Sequence, residues 1–318
     1  MAGGAFRAGA LAAACAAFAL ASCAPQGAAV SLRPAQRPAP AVVAEPAPQR
    51  SAESRALERY YARVQADLRA QGLLRTDGGG PDTPFDSGML ADNFIRIALF
   101  DEYAETAGAL VARQTASELR RWERPVRLEI AFGETVPEDI RREDRAALSA
   151  YAARLARVTG HPIRTVRSGG NFHVLVLNER ERADSADRLR ALVPGISQTA
   201  VRTITDMPRS TFCLVFAFSQ GESREYVRAL AVIRAEHPDL LRLSCLHEEV
   251  AQGLGLANDS PEARPSIFND DEEFALLTTH DELLLRMLYD DRLQPGMDGR
   301  AALPAVREIA AELVEGGA

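Results

Sequence analysis

The densest group of side chains able to do chemistry lies in Cys245–Asp259, CLHEEVAQGLGLAND. It holds a thiol, an imidazole and two adjacent carboxylates (Cys245, His247, Glu248 and Glu249), followed by the amides of Gln252 and Asn258. Two histidines four residues apart on a helix, with a glutamate after the first, can hold zinc and supply its general base. Starting that frame at His247 requires an imidazole at position 251, where the chain has Ala251, so the frame fails. Read as a helix, the stretch gathers Leu243, Leu246, Val250 and Leu254 into one apolar stripe. At about 100° per residue, Glu248 and Gln252 fall at roughly 160° and 200° from Val250, side by side on the opposite face. His247 falls at the edge of the stripe, the place of a core imidazole satisfied by a backbone carbonyl, and Glu249 is expected on a solvated face.

Other candidates carry less. Cys245 sits about one turn before the carboxylates, where it could ligate a metal or act as a nucleophile, but it could equally pair with Cys213. Asn269–Glu273, NDDEE, lacks the spacing and central glycine of an EF-hand loop and reads as a solvated loop. His161, His173, His237 and His280 are scattered, and nothing local pairs them into a triad.

The elements that must position these groups alternate. Leu57, Tyr60, Val64 and Leu68 recur at helical spacing, predicting a helix over Ala52–Leu73, and a second helical region is expected from Met89 to Trp122. RPVRLEIAFG alternates as a half-buried strand, and Pro137–Val158 is helical by pattern. IRTVR and FHVLVLN flank Ser168–Asn171, SGGN, which predicts a hairpin. TFCLVFAFS is a continuous apolar strand, whereas EYVRALAVIR fits strand and helix equally. A helix follows Pro238 and ends near Gly255, and another starts where Thr279 and Glu282 form a capping-box pattern. The predicted class is α+β: a twisted mixed sheet packed on the Glu248 helix, with helical parts at both ends.

The chain opens on an apolar run whose only charge before Cys23 is Arg7, suited to a secretory signal and too short to span a bilayer. Leu20-Ala21-Ser22-Cys23 resembles the lipobox of bacterial lipoproteins, which implies cleavage after residue 22 and lipid attachment, palmitate included, at Cys23. Ala24 after that cysteine resembles the outer-membrane sorting class. The alternative is cleavage after Ala21 and a secreted soluble product. Residues 23–51 are rich in Ala and Pro and read as a tether, leaving 52–318 as one domain with a helical extension over 52–122. With the signal gone and Cys23 lipidated, Cys213 and Cys245 remain in an oxidising compartment, where a disulfide is expected and two buried thiols are the alternative. A net charge of −7 with no basic patch argues against nucleic acid as a partner.

Anchored on Gly255 instead, the stretch resembles the metzincin metalloproteases, whose HExxHxxGxxH aligns on Glu248, Glu249, Gln252, Gly255 and Asn258. The resemblance continues through Ser266-Ile267-Phe268, where metzincins have a Ser-apolar-Met turn, and through DELLLRMLYD with Leu288-Tyr289. It implies a zincin-like fold in which Glu248, Gln252 and Asn258 replace the three metal ligands, while Glu249 keeps the general-base position. Two of the three are amides, weak zinc ligands, and an all-oxygen set suits a harder cation better, so no cofactor is expected; the alternative is a divalent cation, calcium or zinc, at low occupancy. CLHEEVAQGLGLANDS, PSIFND and HDELLLRMLYD together also resemble bacterial envelope lipoproteins grouped as domain of unknown function 2927. The expectation is a lipid-anchored envelope protein facing the periplasm, catalytically degenerate, with a binding or structural role toward an envelope protein or peptidoglycan-associated partner. The alternative is a metal-dependent peptidase using Glu249 as base.

Overall fold

The computed structural model describes residues 49–106, 109–269 and 271–316; the signal segment, Cys23 and nearly all of the tether lie outside them. In chain order the elements are α1 (Ala52–Ala70), α2 (Ser87–Ala98), β1 (Phe100–Thr106), β2 (Ala109–Ala116), β3 (Val126–Phe132), α3 (Glu138–Thr159), β4 (Ile163–Thr165), β5 (Phe172–Leu177), α4 (Glu179–Ala183), α5 (Ala186–Leu192), α6 (Gln198–Thr205), β6 (Cys213–Ser219), β7 (Tyr226–Arg234), α7 (Asp239–Gln252), α8 (Thr279–Leu288) and α9 (Gly299–Glu315). The class is α+β. Among the described residues, no helix is long and apolar enough to cross a membrane.

A five-stranded sheet in the order β4-β3-β5-β7-β6 organises the rest. Neighbouring strands run parallel except β6, which pairs antiparallel with β7 at one edge. The central strands β5 and β7 are buried on both faces, which is why FHVLVL and most of YVRALAVIR read as unbroken apolar runs. Alternate side chains serve two cores. Leu128, Phe172, Val174, Ala231 and Ile233 pack with Leu148 and Leu155 of α3 and Leu246 and Val250 of α7. Leu175, Leu177, Leu230 and Val232 pack on the other face with Leu189 of α5 and Val201 and Ile204 of α6. Tyr61 of α1 forms a smaller core with Leu74, Leu241 and Ala275.

Three expectations give way. The Met89–Trp122 region ends its helix at Ala98 and turns into the antiparallel pair β1–β2. IRTVR and FHVLVLN do not form a hairpin: β4 and β5 both pair in parallel with β3, which lies between them. The last capping box falls one residue earlier, with Thr278 accepting from Asp281 N and Asp281 reaching back to Thr278 N. The ambiguous EYVRALAVIR is strand β7, held by β5 on one side and β6 on the other.

Candidate functional site

α7 starts beyond Pro238, which has no N–H to leave unsatisfied, and carries Asp239 in its first turn, where a negative charge complements the helix dipole. It is bolted to the sheet edge by the Cys213–Cys245 disulfide, with Cα atoms 5.9 Å apart. At its far end Gly253 leaves no room for a side chain, since a Cβ there would lie 2.4 Å from Phe172 Cζ. The Gly253 carbonyl instead accepts the Trp122 indole N–H at 2.8 Å. Gly255 turns the chain with φ +133°, and a Cβ would meet the Arg120 carbonyl oxygen at 2.3 Å. The glycine of the motif is thus required twice, by conformation and by contact.

The helix is covered on more than its apolar stripe. Ten residues of α7 are buried, Glu249 among them at 3% exposure, so the solvated position expected for that carboxylate is not what the fold provides. His247 is buried too. Its ring stacks on Tyr151 at 3.9 Å, and its Nδ1 accepts the Leu277 N–H at 3.2 Å, a backbone donor rather than the expected carbonyl. Burial pushes the His247 imidazole down to about 3, so it is neutral at ordinary pH.

The aligned ligand positions sit in three settings. Glu248 and Glu249 lie with Cys213 Sγ, the candidate ligand atoms within 4.8 Å of one another. The Gln252 amide donates to Asp259 Oδ1 at 2.9 Å. The Asn258 amide turns the other way and donates to the carbonyls of Arg96 and Asp259, both at 2.8 Å, with its own N–H on Ile97 O at 3.1 Å. Asp259, absent from the sequence reasoning, therefore supplies the side chain that meets Gln252. An extra carboxylate directly after the last aligned position was the available signal.

A zinc ion needs three protein ligands of the imidazole, thiolate or carboxylate kind with an open fourth position. The sulfur here is bound in a disulfide, the nearest imidazole is stacked and hydrogen-bonded elsewhere, and two aligned positions are amides engaged with the protein itself. The residues do not fit a catalytic zinc.

The Ser266-Ile267-Phe268 turn is brought to the same neighbourhood. Phe268 O accepts the Ser260 N–H at 2.8 Å, two residues beyond Asn258. Asp281, buried at the start of α8, accepts the Ser266 hydroxyl (2.6 Å) and the N–H groups of Ile267 (3.1 Å) and Thr278 (2.9 Å). Phe268 itself is fully buried. At the end of α8, Arg121 donates to the Leu288 carbonyl at 2.7 Å and the Tyr289 hydroxyl donates to Leu254 O at 3.2 Å. The α7 end, the turn and α8 are one hydrogen-bonded piece. In the acidic run, Glu273 pairs with Arg75 and Arg264, and the Arg264 hydrogen bond holds its carboxyl below the usual range against the upward push of its partial loss of water.

A family model described as a protein of unknown function, DUF2927, matches residues 87–308, which take in α2 through most of α9. No curated protein and no solved structure matches the chain.

Proposed function

The chain belongs to the DUF2927 family, and from that premise we propose that it is a lipid-anchored cell-envelope protein whose zincin-like domain binds a partner rather than cutting it. The observation that carries the reading is the commitment of the aligned ligand positions to the protein's own groups: Gln252 to Asp259, and Asn258 to the Arg96 carbonyl. Without a bound metal, water stays far from neutral pKa, and Glu249 has no activated nucleophile to deprotonate. The mixed sheet packed on α7, and the Ser266 turn tied to Ser260, support kinship with the metzincins.

The binding surface in this reading is the outer edge of β6, the strand to which the disulfide ties α7. Among the described residues no strand pairs with the outer edge of β6, so its main-chain groups can take an added strand from an extended polypeptide. The lipobox ending in Cys23 and the Cys213–Cys245 disulfide both support an envelope location.

Metal analysis and peptide hydrolysis by the purified protein test the reading together. The expected result is substoichiometric zinc and no turnover, with unchanged behaviour in Glu249→Gln. Stoichiometric zinc with hydrolysis that disappears in Glu249→Gln overturns it. Cys23→Ser is expected to move the protein from the membrane fraction to the soluble fraction.

A further inference from the structure

The chain leaves the carboxyl ends of β3 and β5 toward opposite faces of the sheet. β3 runs into α3, which packs on the face of Leu128 and Phe172, whereas β5 runs into α4–α6, of which α5 and α6 pack on the face of Leu175 and Leu177. Neighbouring parallel strands whose connections diverge in this way leave a crevice beyond their carboxyl ends, the place where open α/β sheets hold ligands. A pocket of about 520 Å³ lies there, within the usual range of small-molecule sites. Its wall is Gly133–Thr135 after β3, Asn178 after β5, Arg188 of α5 and the Ser51 cap of α1. None of its lining belongs to α7 or β6.

The wall carries Arg50, Arg180 and Arg188 against Glu134, Glu181 and Asp184, and of its three arginines Arg188 is the one without an ion pair among the described residues. Arg50 pairs with Glu58 and Arg180 with Asp184. Glu181 spends its carboxylate on the protein, accepting the Thr135 N–H (2.8 Å), the Thr135 hydroxyl (2.9 Å) and the Asn178 N–H (2.9 Å). Gly133 makes this possible, since a Cβ there would lie 1.7 Å from Glu181 Oε2. Drawn against the end of β3, that carboxylate stays outside ion-pair distance of Arg188, and no other described carboxylate comes within it. Arg188 is half-buried, and the loss of water pushes its guanidinium down from its ordinary value. A planar guanidinium partly stripped of water, which feels the charges of Glu181 and Glu129 but is paired with neither, is suited to a bidentate carboxylate or phosphate.

We propose that this crevice is a binding site for a small organic anion, a carboxylate or a phosphate monoester, whose charged group is held by Arg188.

Thermal-shift and calorimetric titrations of the purified full chain test this with glycerol 3-phosphate, N-acetylalanine and inorganic phosphate as probes. The expected result is saturable binding of at least one organic probe, about tenfold weaker in Arg188→Gln and unchanged in Arg190→Gln, an exposed arginine of the same helix. Preference between the two organic probes identifies the anion class. Should Arg188→Gln lose its fold by circular dichroism, Arg188→Lys is read instead and is expected to bind at intermediate strength. No binding by either organic probe, or binding that ignores both Arg188 variants, overturns the proposal.

Discussion

Asp281→Ala probes how the turn after α7 is joined to α8. The carboxylate is fully buried, Oδ2 takes the N–H groups of Ile267 and Thr278, and Oδ1 takes the Ser266 hydroxyl. Truncation leaves two main-chain donors without an acceptor in a dry site, each costing about 1–3 kcal/mol. The hydroxyl can rotate to another acceptor, and release of a buried charge offsets part of the loss. A net destabilisation of about 3–4 kcal/mol is expected. Asp281→Asn keeps an oxygen for the two N–H groups and turns its NH2 toward Ser266 Oγ, which can accept, so it should cost only about 1–2 kcal/mol. Urea unfolding followed by circular dichroism at pH 7 measures both, provided the slopes agree. An Asn variant as unstable as the Ala variant would show that charge, not acceptor placement, holds the turn. An Ala cost below about 1 kcal/mol would show that the turn stands without Asp281.

Reducing the Cys213–Cys245 bridge, which closes a separation of 32 residues, should lower unfolding stability by about 4 kcal/mol in the chain-entropy picture; unfolding with and without reductant measures it, and an unchanged midpoint with two titratable thiols refutes it. His237 and His247 are both held down to about 3 by burial, so the unfolded chain binds protons below about pH 6.5 that the folded chain refuses, and stability falls as pH drops. Between pH 6.5 and pH 5 the loss should approach about 2 kcal/mol per imidazole, and His247→Gln should roughly halve the combined drop in urea melts at the two pH values. Gly255→Ala combines a positive φ with a Cβ pressed on the Arg120 carbonyl and should cost about 2–4 kcal/mol, measured in the same melts.

What could be read from the chain depended on how local its cause was. β3 and α3 follow from alternation and helical spacing within their own residues. The SGGN segment carries an equally strong local turn signal, yet its flanking strands pair with β3, some forty residues upstream of β5, and nothing between them announces it. Thr278 with Asp281 and Thr279 with Glu282 both satisfy the capping pattern; the tie is broken by the Ser266 turn, which needs Asp281 as its acceptor. The burial of Glu249 escaped the helical wheel for a related reason. A wheel orders side chains around one axis but says nothing of how many partners surround it, and here α3 brings Tyr151 against His247 while the sheet covers the other side. The Gly255 turn, the Ser266 turn and Leu288-Tyr289 were visible because each is a short local pattern; that Asn258 faces Arg96 while Asp259 faces Gln252 depends on where α2 ends.

The first turn of α1 is stitched across the sheet ends, with the Ser54 hydroxyl between Glu236 Oε1 at 2.7 Å and Asn178 Oδ1 at 3.1 Å. A tug on the chain ahead of Gln49 would reach the domain first at those two contacts. Mechanical load would then arrive beside Asn178, at the lip of the β3–β5 crevice, and would tend to peel α1 off the strand ends before straining the sheet itself.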